Sequence, residues 1–294
     1  MRREAIRFAI LLFAALLAAT TACARSDRRA SPSPQPATPA TPTASATASS
    51  APSTAPGAEP GQTVSPRPAS PTPSASATPS RLPSALTGHV VTSIATHAHV
   101  VALTFDAGSN DRGVGSILRT LHVERVRATF FLTGDFVRVH HDASLAITDA
   151  GHLIGNHTVS HPHARSLSAA QLRREIIDAE RRISNSLQVH ARPWFRFPFG
   201  EYDARTLRVV NGLAYAAIGW TVDTLGWRGT HGGGTTSAVV SRVMSTLRPG
   251  AIVLMHVGAN PDDGSTLDAD ALPELIHAVR RAGYGFTTLD SLLR

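Results

Sequence analysis

Two absences stand out in this 294-residue chain: it has one cysteine, Cys23, and no lysine. A single thiol excludes any internal disulfide, so cohesion has to come from a packed core. All 28 basic residues are arginine, which raises the isoelectric point to about 11.0 without any lysine patch. Aromatic residues make up 5% of the chain, and none lies between Phe13 and Phe105. Long hydrophobic runs are missing as well: the apolar stretch Phe8 to Ala19 has twelve residues, too short to span a bilayer.

Where the charge sits decides what the basicity means. The formal charge is +7, of which +5 belongs to residues 1–85 and +2 to residues 86–294. The second part is therefore nearly balanced. With no RNA-binding signature and no aromatic and arginine stacking platform, no nucleic-acid partner is expected. Fourteen of the twenty prolines fall between Pro32 and Pro83, among Ala, Ser and Thr, with only Glu59, Arg67 and Arg81 charged from 30 to 85. Such a stretch buries too little apolar surface to offset its ordering entropy, so 24–85 reads as a disordered, partly polyproline II tether. The chain starts with a basic segment (Arg2, Arg3, Arg7), the apolar run and then small residues, an export signal over 1–23. Arg2 and Arg3 also hint at twin-arginine export. Cys23 after "ATTA" resembles the lipid-attachment site of bacterial lipoproteins, although Thr20 stands where Leu is usual; the alternative is a cleaved signal ending near Ala22. The expectation is an exported protein, lipid-anchored at the outer face of the cytoplasmic membrane or in the cell wall, otherwise secreted.

From residue 98 onward short β-branched runs alternate with longer amphipathic stretches, the pattern of repeated βα units. The strands expected are Val100 to Phe105, Ala128 to Leu132, His152 to Asn156, Trp194 to Phe199, Ala214 to Val222, Ala251 to His256 and Gly285 to Thr288. The helices expected are Arg112 to Leu121, Asp142 to Ala150, Ala169 to Leu187, Asp203 to Asn211, Ser237 to Leu247 and Leu272 to Ala282. The third helix opens with Ser168 and Gln171 at capping-box spacing. About seven strands alternating with helices predict an α/β barrel over 86–294, complete or incomplete in its closure, rather than an antiparallel sandwich.

Asp106, His157, Arg196, Asp223 and His256 each fall at or just after the C-terminal end of an expected strand, the rim where barrels of this kind assemble active sites. His157 and His161, four apart in "GNHTVSHPH", can converge on one divalent ion if the segment turns once, and neutral imidazole suits zinc and its neighbours. Alone that spacing is a weak signal, because histidines are common in loops.

The ordered segments "TFDAG", "NHTVSH", "RFPFG", "VDTLGW" and "LMH", with the ending "RAGYGFTTLDSLL", resemble the motifs of the polysaccharide deacetylase family, the NodB-type carbohydrate esterases, from about Val100 to Leu289. The resemblance implies a deformed (β/α) barrel in which a divalent metal activates a water that removes acetyl groups from sugars. Zinc is the expected ion, with cobalt or manganese as alternatives. The resemblance further implies that Asp106 is the catalytic base, His157 and His161 are metal ligands with Thr158 between them, and Arg196 orients the base. Pro198 and Phe199 take the usual Pro-Tyr position, with the Phe199 backbone N–H as oxyanion donor. Leu254 and Trp227 wall the acetyl-methyl pocket, and His256 is the general acid. Chemically, amide hydrolysis needs an activated water, donors for the oxyanion, a base, and an acid for the leaving amine.

Two positions depart from the family pattern. Ala107 stands where a second Asp is the usual third metal ligand; water, Asn110, Asp111 or His163 are candidates to replace it. Gly226 stands where an Asp usually pairs with the general-acid histidine, so either Asp223 takes over that pairing or His256 has no carboxylate partner. These losses open a second reading, a catalytically silent sugar-binding domain, against which stands the survival of Asp106, both histidines, Arg196, Trp227 and His256. The substrate expected is an N-acetylated glycan, peptidoglycan or chitin-like oligosaccharide, with O-acetyl xylan as an alternative. A monomer is expected. Gly232 to Gly234 read as a flexible loop, His97, His99, His140 and His141 as surface residues, and Trp194 as core or groove wall. The stretch 258–270 reads as a rim loop with solvated Asp262 and Asp263.

Overall fold

In the computed structural model, residues 82–294 are described; the export segment, Cys23 and nearly all of the proline-rich stretch lie outside the described residues. Eight short strands form one sheet: β1 (Val100–Ala107), β2 (Thr129–Leu132), β3 (Leu153–Asn156), β4 (Trp194–Phe195), β5 (Ala216–Ala217), β6 (Val222–Asp223), β7 (Ala251–His256) and β8 (Gly285–Thr287). Their order is β5-β4-β3-β2-β1-β7-β6 with β8 on β1, and every pair is parallel. The helices are α1 (Val114–Val123), α2 (Gly134–Val139), α3 (His141–Asp149), α4 (Ala169–Leu187), α5 (Ala204–Asn211), α6 (Thr236–Ser245) and α7 (Leu267–Arg281). This is the deformed, curled (β/α) barrel. Its two flanks are linked by the segment before β1: Val91 bridges to Ile218 and Ser93 to Ala251. Gly250 (φ 73°) is required there, because a Cβ would lie 1.9 Å from the carbonyl oxygen of Ile94.

The period-two alternation of β1 separates two cores. Val101, Leu103, Phe105 and Ala107 pack outward with Ile117, Leu121, Ile176 and Leu275 of the helices. Ala102 packs inward with Phe131, Trp194, Ile218, Ile252 and Leu289, which makes Trp194 a core residue. Burying one such Ile or Phe side chain contributes about 1.5–3 kcal/mol. Leu82 and Leu86 are buried in the same inner cluster, so the packed chain includes Leu82, which was read as tether. The long helix α4 starts as expected, with Ser168 and Gln171 closing a capping box.

Four elements differ in kind or extent from the sequence-based expectation. The strand Trp194 to Phe199 is two residues long, because Pro198 brings no N–H to a ladder and Phe199 turns left-handed at φ 57°. Ala214 to Val222 splits into β5 and β6, so the sheet has eight strands rather than seven. Helix α7 begins at Leu267, not Leu272, with Pro273 inside it, so the end of the presumed rim loop is in fact its first turn. Helix α2 was not anticipated; its cap is Thr133, whose hydroxyl accepts from the Phe136 N–H at 3.0 Å. Among the described residues no helix is long and apolar enough to cross a membrane.

Candidate active site

Asp106 is the penultimate residue of β1, with Phe131 of β2 on one side and His256 of β7 on the other. Its inward direction follows from the alternation that sends Phe105 and Ala107 into the outer core. Asp106 Oδ1 accepts from Arg196 Nη1 at 2.7 Å. Arg196 is fully buried, and the rest of its guanidinium is spoken for: Nη2 donates to Thr104 Oγ1 at 2.9 Å and Gly219 O at 3.1 Å, and Nε to Ile218 O at 3.3 Å. It also lies over the Phe131 ring, 4.1 Å from the centroid. Burial alone would raise the Asp106 pKa; the charges of Arg196, His157 and His256 and the Arg196 hydrogen bond outweigh it and hold the carboxyl below its ordinary value. Asp106 is therefore an ionised acceptor held in one orientation.

His157 follows β3, and its Nδ1 lies 2.9 Å from the Arg196 carbonyl, a contact in which Nδ1–H donates. That bond fixes the tautomer and leaves Nε2 bare, 3.5 Å from Asp106 Oδ2. The His161 ring stands edge-on to it with centroids 4.8 Å apart. Burial lowers the pKa of both imidazoles, that of His161 to about 4, so both are neutral near pH 7 and able to donate lone pairs. The turn that brings them together is built from left-handed residues, Thr158 (φ 66°) and His161 (φ 58°). It is pinned by Asn156 Oδ1 accepting from Thr158 N–H at 2.9 Å and by Glu175 accepting from Val159 and Ser160 N–H at 2.9 and 3.0 Å. Neither Asn156 nor Glu175 was singled out for this role from the sequence; Asn156 directly precedes His157, which would have been a signal, whereas Glu175 reaches the turn from α4.

Two neutral imidazoles beside a carboxylate suit a divalent cation, but a third protein ligand is not among the candidates named above. Among the described residues no three His, Cys, Asp or Glu side chains cluster to hold a metal. Ala107 is fully buried in the outer core. Asn110 is committed to the Ala259 backbone, accepting at 2.8 Å and donating at 3.1 Å; Asp111 faces His140 at 3.4 Å; and His163 bonds Glu201 at 3.0 Å. In this arrangement neither Asp111 nor His163 is gathered with His157 and His161 into a metal-holding group, and the Asn110 amide is held on Ala259.

Across the cleft His256 ends β7, and its carboxylate neighbour is neither absent nor Asp223. Asp223 accepts from Leu225 N–H at 2.8 Å and Trp227 Nε1 at 3.4 Å. The carboxylate at His256 is Asp268, in the first turn of α7 and 3% exposed. Its Oδ2 accepts from the His256 backbone N–H at 2.8 Å and lies 3.6 Å from His256 Nδ1, an ion-pair contact without a closed hydrogen bond. Burial pushes the His256 pKa down, and Asp268, Asp106 and Asp223 push it back to a net value above the ordinary imidazole. Asp268 was missed because 258–270 was read as loop; the missing Asp at Gly226 was the signal to look for another.

These groups open on a cleft of about 540 Å³ lined by Asp106, His157, His161, His256, Asp223 and Leu254, with Phe199, Trp220 and Trp227 among its walls. Phe199 stacks on His163 at 4.2 Å and meets His161 edge-on at 4.5 Å. Phe199 and Trp227 remain about half exposed, at 54% and 46%, as large apolar faces beside polar groups. Pro198 is buried behind Phe199. Trp220, which the sequence reading passed over, forms another wall. Asp263 is not a merely solvated turn residue: its carboxylate accepts from Thr230 and His231 N–H at 2.6 and 3.0 Å, tying two rim loops together.

The family model for polysaccharide deacetylase matches residues 93–218. Over 194 residues the chain is 32% identical to a peptidoglycan-N-acetylglucosamine deacetylase of Bacillus cereus, covering 66% of this chain and 68% of that one. It is 30% identical over 186 residues to a chitooligosaccharide deacetylase of Sinorhizobium fredii, covering 63% and 85%. Among solved structures, a family 4 carbohydrate esterase pseudoenzyme from Bacillus anthracis superposes with a TM-score of 0.61 at 29% identity, covering 67% of this chain and 66% of that chain. A mutant of that pseudoenzyme with restored enzymatic activity superposes with a TM-score of 0.61 at 30% identity, covering 67% and 68%.

Proposed function

Because the chain belongs to the polysaccharide deacetylase family, we propose that it is an exported, metal-dependent hydrolase that removes N-acetyl groups from an extracytoplasmic glycan, peptidoglycan or a chitin-like oligosaccharide. The observation that carries this reading is the pairing of Asp106 and His256 on adjacent strands at one cleft, one carboxyl held ionised and one imidazole held toward its protonated form. These are the protonation states a base and an acid need at the start of hydrolysis.

The chain's own residues divide the work. Asp106, held by Arg196, accepts the proton of the attacking water at Oδ2, the oxygen Arg196 leaves open. His256 donates a proton to the departing amine nitrogen, which leaves only when protonated. The Phe199 backbone N–H is assigned to the developing oxyanion, a role worth roughly 3–4 kcal/mol per donor in other hydrolases. Leu254, which is buried, and Trp227, which is half exposed, wall the acetyl methyl group. His157 and His161 would hold the divalent ion, zinc or else cobalt or manganese. When bound, that ion supplies the Lewis acidity that brings a water's pKa toward neutrality.

Location supports the substrate. An apolar export run, then Cys23 and about 55 residues of tether, if fully extended at about 3 Å each, would give a lipid-anchored domain a reach on the order of 150 Å from a membrane. The relatives named for peptidoglycan and chitooligosaccharides point to the same class of polymer. Ala107 favours one second reading, a silent glycan-binding domain, and the likeness to a solved pseudoenzyme adds to it. Acetate release from peptidoglycan fragments and chitin oligomers, first with chelator and then with added zinc, cobalt or manganese, separates the two. Metal-restored acetate release supports the hydrolase. Glycan binding with no acetate under any metal supports the silent domain.

A further inference from the structure

We propose that Asp268 is the positioning carboxylate of His256, supplied in this chain from the first turn of α7, and that Gly226 is what makes room for it. The inference deepens the deacetylase reading and rests on it for the role of His256. It starts from a steric fact. A Cβ built on Gly226 would lie 2.3 Å from Asp268 Oδ1 and 2.5 Å from its Cγ. No side chain at 226 can coexist with the Asp268 carboxylate where it stands. The family resemblance expects an aspartate at 226 paired with the histidine; here the same volume is filled from the opposite direction, by position 268.

The carboxylate is held there by more than the imidazole. Oδ1 accepts from Thr224 Oγ1 at 2.6 Å and Oδ2 from the His256 backbone N–H at 2.8 Å. With both oxygens anchored to β7 and to the residue after β6, Asp268 faces His256 Nδ1, which is buried and has no hydrogen-bond partner of its own. Facing that anchored carboxylate, Nδ1 is the ring nitrogen favoured to carry a proton, which leaves Nε2 as the nitrogen for the cleft. Asp106 of β1 and Asp223 beside Trp227 are the other charged groups facing His256. Asp106 is taken by Arg196, and Asp223 by Leu225 and Trp227, so neither orients the ring.

The test is an exchange in the intact protein: Asp268→Asn, Asp268→Ala, Gly226→Asp, and Gly226→Asp with Asp268→Ala. Three readouts are taken: kcat and KM for acetate release, the urea denaturation midpoint, and the His256 tautomer from long-range proton-nitrogen NMR. Asp268→Asn retains an oxygen for the His256 backbone N–H and removes the charge. It is expected to keep the denaturation midpoint near wild type while kcat falls about tenfold or more with KM little changed. Gly226→Asp alone is expected to lower the midpoint, because its Cβ meets Asp268. The double variant is expected to regain both the midpoint and at least a tenfold share of kcat over Asp268→Ala. Wild-type kcat and an unchanged His256 tautomer in Asp268→Asn would overturn the proposal, as would a double variant no better than either single one. Should the wild type release no acetate, the hydrolase reading fails by itself, and the tautomer and the midpoint cycle still decide whether 226 and 268 share one carboxylate position.

Discussion

On the β4 side of the cleft Asp106 is gripped by a guanidinium that is itself fully buried and bonded to Thr104, Ile218 and Gly219, whereas on the α7 side the partly exposed His256 meets the buried Asp268 across 3.6 Å without a closed hydrogen bond. The first arrangement lies inside the barrel, where a charge without its partner is costly, so catalytic geometry and fold stability depend on the same bonds. The second joins the end of β7 to the first turn of α7, a segment that makes none of the Arg196 bonds. Family patterns are thus expected to hold more strictly at Asp106 and Arg196 than around His256. In this chain the departures at Ala107 and Gly226 avoid the Asp106–Arg196 pair itself.

Substitutions on the two sides should therefore differ in kind. The largest effect is expected from Arg196→Met, which leaves Asp106 buried without its cation: urea denaturation should show a loss of about 3–5 kcal/mol. A variant as stable as wild type would mean that the buried pair is not what holds that side. Next comes His157→Ala, which removes one of two imidazole donors and breaks the Nδ1 contact to Arg196 O. Zinc affinity measured by calorimetry should fall about tenfold or more, as for losses around other metal sites. Unchanged zinc binding would place the metal elsewhere. The smallest effect is a shift of pH dependence. The net rise in the His256 pKa keeps its acid form to higher pH, so the basic limb of kcat/KM should lie above the ordinary imidazole value of 6.5. The lowered pKa of Asp106 should keep the acidic limb below 3.8 in the free enzyme. A basic limb at or below 6.5 would show that the carboxylates around His256 do not outweigh its burial.

How much of this was legible in the sequence follows the same division. Strand β7 has the expected bounds and β1 extends the expected run by only two residues, because consecutive β-branched and aromatic residues are what a buried parallel strand needs. Helix α4 was equally plain, since its cap and its amphipathic period agree. The rim was harder to read. Strands of two residues, such as β4, β5 and β6, leave almost no periodic signal, and left-handed backbone at Thr158, His161, Phe199 and Leu225 is imposed by tertiary contacts. Asp106, His157, His161, Arg196 and His256 could be identified because ordered motifs carry them, and the structure brings all but the buried Arg196 to one cleft, with Arg196 bonded to Asp106. Asp268 could not, because its meeting with His256 depends on where α7 begins and on the absence of a side chain at Gly226. That first turn fell inside 258–270, read from the sequence as a rim loop.

The central claim is that Asp106 is the base of a metal-dependent deacetylase, and the most direct measurement is the rate of acetate release from N-acetylglucosamine oligomers by zinc-loaded wild type and Asp106→Asn side by side. The account predicts steady turnover in the wild type, lost on chelation, and a fall of about 10²–10⁴-fold in the folded, zinc-binding variant. Equal rates in the two proteins would contradict it.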